Sequence, residues 1–256
     1  AGTLERTYRA WVQRPEPADA VAVEREIQRC FERGIEETGF EFRAILPDGT
    51  RRWLEAKARF VFGPNGAPRR MIGINIDIDE RKRAELHAAL LSQLAQDYAL
   101  SSRPEEILAT VAGALGRHLG AFRCYFMRVN AAATDVVVEC DWVRDEGAPR
   151  LAGRYAIAEF DTGELWRQVT ARTVVVADVA DDPLTAGSSV RYAGLCMQAW
   201  ASVPFARDGK WMASLVVAND RPRRWRADEV SLMETLLARV WPLVERARSE
   251  QAVARA

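Results

Sequence analysis

The hydrophobic pattern changes its period sharply near residue 79, and the change marks where a strand hands over to a helix. From Ile72 to Ile78 the side chains alternate, with Ile72, Ile74, Ile76 and Ile78 against Gly73, Asn75 and Asp77. That is the period of a half-buried strand. Beyond Asp79, Leu86, Leu90 and Leu94 recur at i, i+4 and i+8 among charged and small neighbours, which is one stripe of a helix. Asp77 or Asp79 can cap that helix by accepting a backbone N–H, and Glu80 places negative charge in its first turn, where the helix dipole favours it.

Elsewhere the same two periods lay out the chain. Ala20, Val23, Ile27 and Phe31 follow a helical period from Pro17 to Gly34, with the glycine at a C-cap position. Strands are predicted at 39–46, 51–62 and 69–78, joined by the turns Pro47-Asp48-Gly49-Thr50 and 63–68, as an antiparallel meander. The connecting helix runs to about residue 101. Ser101-Ser102-Arg103-Pro104-Glu105-Glu106 then opens another helix, whose buried stripe is Ile107, Val111, Ala114, Leu115 and Leu119. Strands follow at 122–130, 135–143 and 154–158, then a helix at 161–172 and a buried strand at 173–179. A loop and short helix reach Cys196. A hairpin at 199–206 and 211–218 and a final helix from about Asp228 complete the chain.

In that last helix Val230, Met233, Leu237, Val240 and Val244 are spaced 3, 4, 3 and 4 apart, while Leu232, Leu236 and Leu243 mark a second stripe. One stripe can pack on a sheet, and the heptad stripe can pair with a second chain as a coiled-coil seam, joined by Leu86, Leu90 and Leu94 of the connecting helix. An amphipathic core helix would produce the same stripes. Pro242 lacks an N–H and falls within the helix.

With 256 residues there is room for about two domains. Lys plus Arg and Asp plus Glu both number 36, so no overall charge steers the chain to nucleic acid or an anionic membrane. No apolar run approaches the roughly 20 residues needed to span a bilayer, and no signal peptide opens the sequence, so a cytoplasmic location is expected. Cys30, Cys124, Cys140 and Cys196 are scattered without a C-x-x-C, which suggests neither zinc nor a disulfide framework. The two histidines, His87 and His118, sit in helices without a phosphoacceptor or general-base context. Nothing resembles a P-loop or a Rossmann glycine pattern, so no catalysis is expected within these residues. The arginines at 221, 223, 224 and 226 are flanked by Asp220, Asp228 and Glu229, which favours solvated surface pairing over a phosphate site.

The run Asp77-Ile-Asp-Glu-Arg-Lys-Arg-Ala-Glu85, with Glu41-Phe42-Arg43, Pro47-Asp48-Gly49, Arg52-Trp53, Gly73, Trp11, Pro15 and Asp19, resembles the second half of a PAS sensor domain over about residues 11–85. The resemblance implies two further strands and short helices ahead of this point. Their absence leaves Met71 to Ile78 as an apolar edge, so a fragment, pairing with another copy, or replacement by the first ten residues is expected. Much of the wall of a cofactor pocket in this half would also be missing.

Val174-Val-Val-Ala-Asp-Val179, Ala201-Ser-Val-Pro-Phe205 and Pro222-Arg-Arg-Trp225 followed by Asp228-Glu229 resemble the landmarks of a GAF domain over about residues 88–249. The two resemblances imply an α+β chain. An antiparallel PAS-like sheet, possibly incomplete, occupies 1–80, and a signalling helix 81–100. A GAF domain with a central antiparallel sheet and flanking helices follows at 101–227, then an output helix at 228–256. The GAF resemblance also implies a small-molecule pocket on the sheet. Residues 186–192 carry no Cys-His pair, which argues against a covalent bilin, and the cofactor stays unassigned. The pocket candidates are Phe126, Trp142, Arg154, Tyr155, Phe160, Trp166, Asp178, Tyr192, Trp200 and Ser202, which either enclose a planar or apolar ligand or simply fill the space.

The resulting expectation is a sensory input and homodimerisation module of a bacterial two-component protein, which passes a pocket or packing change through its helical linkers to a histidine-kinase output domain on the same polypeptide. Contact with nucleic acid or membrane is not expected. Two alternatives stand beside it: a redox enzyme of the GAF-type methionine sulfoxide reductase class, using Cys124, Cys140 and Cys196, and a structural dimer module with a filled pocket.

Overall fold

The computed structural model describes residues 15–46, 49–99, 103–130, 132, 134–157 and 163–255. It divides into two units, residues 1–86 and 87–256. Both combine helices with antiparallel sheet, so the chain is α+β. No described helix is long and apolar enough to cross a membrane.

In the first unit, helix α1 (Pro17–Arg33) ends at Gly34, whose φ of 61° is the left-handed geometry that glycine adopts at least cost. Strands β1 (Glu37–Ile45), β2 (Arg51–Phe62) and β3 (Pro68–Asp77) form a meander in the order β1-β2-β3. Val23, Ile27 and Cys30 of α1 pack on Phe42, Ala44, Ala56 and Phe60. Cross-strand pairing decides the rest. Ala56, Ala58 and Phe60 sit opposite Asn75, Gly73 and Met71, and directly opposed residues share a face. The alternation read from the sequence is present, but it is the Gly73 and Asn75 side that shares the α1 face. Ile72, Ile74 and Ile76 are 50%, 62% and 37% exposed, opposite Arg59, Lys57 and Glu55. The expectation of a half-buried isoleucine face is therefore corrected for Ile72, Ile74 and Ile76, because α1 packs on the opposite side of this sheet, whereas Ile78, just past the strand, is buried. Gly73 allows the close approach of β2, since a Cβ there would stand 2.7 Å from the Lys57 carbonyl oxygen.

The strand-to-helix joint is held by side chains. Asp77 Oδ1 accepts the Asp79 N–H at 2.9 Å as helix α2 (Asp79–Ala99) begins. The Asp79 carboxylate accepts the Trp53 N–H at 3.2 Å and pairs with Arg52 at 3.2 Å and Arg83 at 2.5 Å. Glu41 pairs with Arg81 and Lys82, and the Lys82 ammonium lies 5.4 Å from the centre of the Trp53 ring. The first turn of α2 is thereby fastened to β1 and β2.

The second unit contains α3 (Pro104–His118), β4 (Arg123–Val129), β5 (Asp135–Val143), β6 (Gly153–Ala156), α4 (Glu164–Ala171), β7 (Val174–Val176), α5 (Ser189–Gly194), β8 (Ala199–Arg207), β9 (Lys210–Asn219) and α6 (Ala227–Arg255). Its strands pair antiparallel in the order β6-β5-β4-β9-β8-β7. The strand expected at 173–179 shortens to three residues at the sheet edge, where Val175 is 40% exposed. Helices α3 and α6 pack on one face, together with the carboxy-terminal half of α2.

The core on that face corrects the proposed dimer seam. Leu94, Met233, Leu237, Val240 and Val244 are all buried within it, as are Leu232, Leu236 and Trp241. Leu90 packs against it partly buried, Val230 is half-buried, and Leu86 is exposed. Helix α6 meets α3 on one side and β8 and β9 on another, so a wide arc of it is covered, and the heptad stripe from Met233 to Val244 is core together with Leu232 and Leu236 of the second stripe. Leu243 and Val253 remain exposed on this helix.

Candidate functional site: a cavity on the other sheet face

Because both faces of the central sheet are covered, each strand contributes alternately to two cores. On β4, Cys124 and Phe126 face the helices, whereas Tyr125 and Met127 face a cavity of about 100 Å³. Its floor continues through Val136 and Val138 of β5, Trp200 and Ser202 of β8, and Val216 of β9. Leu165, Trp166 and Val169 of α4, with Tyr192, Leu195 and Met197, supply the remaining wall, and Leu151 and Tyr155 close it from the β5–β6 side.

Of the residues singled out from sequence, Tyr155, Trp166, Tyr192, Trp200 and Ser202 line this cavity. Phe126 and Trp142 do not, and are corrected to the helix-facing core. The reason for Trp142 is a bulge. Phe126 pairs with Cys140 and Met127 with Val138, which leaves Glu139 as the extra residue on β5. Counting by twos from Val138 would place Trp142 in the cavity; the bulge reverses the parity. Trp142 instead sits over Gly116, where a Cβ would come within 2.2 Å of its ring. Arg154 is exposed on edge strand β6, and Asp178 Oδ1 accepts the Ala180 N–H in a turn, so neither lines the cavity. Phe160 lies outside the described residues.

A buried ion pair positions the cavity's side wall. Arg123 and Asp141, both essentially inaccessible, pair at 2.7 Å. Arg123 also donates to the Pro149 carbonyl, and Asp141 accepts the Leu151 N–H at 2.6 Å. The Tyr155 hydroxyl donates to the Leu151 carbonyl at 2.9 Å. These bonds pin the chain after β5 so that Leu151 projects inward. Such a pair contributes positioning more than stability, since desolvation offsets much of its attraction.

The polar equipment of the described wall is neutral. Burial pushes the Tyr192 phenol up to about 12 and raises that of Tyr125 as well, so both stay protonated. Tyr192 stacks on Trp200 with ring centres 6.2 Å apart, and Trp166 lies 5.4 Å from Trp211. Trp166 Nε1, Trp200 Nε1 and Ser202 Oγ are buried without a hydrogen-bond partner. Among the described residues no cysteine lines the cavity. Cys124 belongs to the opposite core, and burial, chiefly, raises the Cys140 thiol to about 11. Among the described residues no group of three or more His, Cys, Asp or Glu side chains is arranged for a metal ion.

The arginines before α6 form a clasp. Arg223 pairs with the buried Glu229 at 2.7 Å and stacks 4.5 Å over Trp225, while the Arg226 N–H donates to Glu229 at 2.9 Å. Trp225 Nε1 reaches the Val176 carbonyl at 3.3 Å. The expectation of solvated pairing is corrected for Arg223 and Glu229, whose side chains are only 18% and 2% exposed, while Trp225 beside them ties the start of α6 to β7.

A cavity on one sheet face and helices on the other is the arrangement of a GAF domain, and the GAF domain model matches residues 103–242. The chain belongs to the GAF domain family. A PAS fold model matches residues 1–75 ahead of it. The sensor protein FixL of Bradyrhizobium diazoefficiens is 36% identical over 81 residues, which is 31% of this chain and 15% of that protein. The chain thus spans a small part of the curated relative it matches. Free methionine-R-sulfoxide reductase from Neisseria meningitidis, solved with its substrate, has a TM-score of 0.53 at 22% identity, covering 66% of this chain and 93% of that one. The chromophore-binding domain of a bacteriophytochrome from R. palustris has a TM-score of 0.51 at 14% identity, covering 94% of this chain and 82% of that one. At such identities these structures establish a shared fold.

Proposed function

We propose that this chain is the cytoplasmic sensory input segment of a homodimeric bacterial signal-transduction protein, a histidine kinase. In this reading it performs no catalysis itself. A small molecule enters the cavity of the second unit, and the response leaves through α6 towards an output domain on the same polypeptide, with α2 carrying signals from the PAS segment.

One observation carries the reading: the same strands line the cavity and hold the output helix. Trp200 and Ser202 face the cavity while Ala201 and Val203 belong to the core that holds α6; Val216 is flanked by Leu215 and Val217 in the same way. Close-packed interiors transmit such displacements because they do not deform freely. Glu139 at the β5 bulge also pairs with Arg248 of α6. A ligand biases α6 only to the extent that it binds one packing better than another. The partial similarity to FixL supports the sensor assignment. No cysteine is among the described residues lining the cavity, which favours this reading over the redox-enzyme alternative.

Native mass spectrometry of freshly purified protein, with an absorption spectrum of the same sample, tests this proposal. A dimer carrying added mass, or a dimer whose melting temperature rises with an added small molecule, supports it. A monomer overturns the homodimer. Protein that carries no added mass and that no small molecule stabilises overturns the ligand-sensing role.

A further inference from the structure

We infer that the ligand is a neutral, planar molecule of one-ring size bearing a carbonyl-type oxygen, recognised by Trp166, Trp200 and Ser202. The inference rests on the sensing role proposed above and specifies its chemistry. Three features of the cavity carry it.

The first is the set of donors. Trp166 Nε1, Trp200 Nε1 and Ser202 Oγ are buried and without a hydrogen-bond partner, and all three belong to residues that line the one cavity. Trp200 and Ser202 are only 4% and 2% exposed. A buried donor left without an acceptor is costly, and native proteins keep few of them. An indole N–H can only donate, so the complementary atom must accept. Trp166 stands on α4 and Trp200 and Ser202 on β8, so donors on both sides of the cavity select a ligand oxygen that accepts.

The second is charge. Among the described residues lining the cavity none is Lys, Arg, His, Asp or Glu. Burying a carboxylate or phosphate there, with no cation to meet it, is unfavourable, so a neutral group is selected. The third is size and shape. The volume of about 100 Å³ is somewhat below the roughly 150 Å³ of an engineered cavity that admits benzene, so modest side-chain movement accommodates a single ring. The stacked pair of Tyr192 and Trp200 presents flat aromatic surface to it.

A matched set of probes tests the inference on the whole chain in an amine-free buffer. Benzaldehyde and styrene share size and planarity, and differ in having an oxygen or a methylene at the same place; benzoate adds a charge. Titration followed by tryptophan fluorescence, with melting temperature as a second readout, is expected to give benzaldehyde at least about tenfold tighter than styrene. Benzoate is expected to bind too weakly to measure. In Ser202→Ala and Trp200→Phe the preference should fall several-fold while styrene binding persists, which also shows that the variants fold. Styrene binding as tightly as benzaldehyde in the wild-type chain, or benzoate binding more tightly than either, overturns the inference but leaves a ligand-binding cavity standing. If none of the three changes either readout, the cavity is closed to molecules of this class and the inference fails outright. Stabilisation by some other molecule in the test of the sensing role would then preserve that role alone.

Discussion

The two sheets of this protein share antiparallel pairing but differ in how many of their faces are covered. The three-stranded sheet has α1 on one side and solvent-exposed Ile72, Ile74 and Ile76 on the other. The six-stranded sheet carries a core on each side, one built with α3 and α6 and one around the cavity. The difference teaches what strand alternation reports. It tells which residues share a face; only the packed elements decide which face is interior. In the second unit both faces are interior, so apolar residues occur on both faces of its strands and alternation does not mark one of them as the core face.

The sharpest break of this comparison is on the helix-facing core. Trp241→Ala should destabilise the second unit by about 3–5 kcal/mol, because Trp241 is almost wholly buried. Urea unfolding followed by circular dichroism should show one of two transitions moving, since a chain of two units need not unfold in a single step. An unmoved transition would mean that α6 contributes little to that core. Asp141→Ala should cost a comparable amount, about 3–5 kcal/mol, by leaving Arg123 buried without its partner. It should also expose the chain around Leu151 to faster hydrogen exchange, whereas Trp241→Ala should leave that segment protected.

Gly116→Ala comes next, at about 1–3 kcal/mol, because the added Cβ would clash with Trp142. Combining it with Trp142→Leu should restore part of the loss; full additivity of the two changes would contradict the contact.

A smaller effect concerns pH. Burial, and secondarily the nearby His87, lower the His118 pKa below 6.5, with Glu229 acting in the opposite direction and Arg226 in the same one. The two imidazole rings are 5.1 Å apart. The neutral form is therefore favoured by folding. Its contribution is complete above the unfolded value of about 6.5 and is lost as pH falls through the lower folded value. Stability measured from pH 7.5 to 5 should fall less steeply in His118→Asn; an unchanged slope would remove His118 from the account. Ile74→Lys should change stability least, by within about 0.5 kcal/mol, since this side chain is exposed. A loss above 2 kcal/mol would show that the bare sheet face is covered in solution.

Legibility followed these differences. Tyr155, Trp166, Tyr192, Trp200 and Ser202 were within reach of the sequence because aromatics near the landmarks of a recognisable domain are natural pocket residues. Tyr125 and Met127 were missed although they lie beside Phe126. Alternation pairs them with each other against Phe126, but nothing local says which set faces the cavity. Leu151 was missed because its position depends on Arg123 and Asp141, and such a bond between distant charges has no local pattern. Likewise the heptad spacing of α6 is genuine, yet an α-helix buried over a wide arc repeats apolar residues much as a coiled-coil seam does.

By itself the sequence determined the periods: which stretches are strands and helices, the direct passage from β3 into α2, and the landmarks of a PAS segment followed by a GAF domain. These are properties of neighbouring residues, set by backbone geometry and the spacing of apolar side chains. Tertiary structure alone decided which face of each sheet is interior, how the bulge at Glu139 turns Trp142 away from the cavity, and that the stripe of α6 is core. It also brought Trp166, Trp200 and Ser202 to one cavity. Those outcomes depend on contacts between residues far apart in the chain, where a one-residue shift in register exchanges the two faces of a strand.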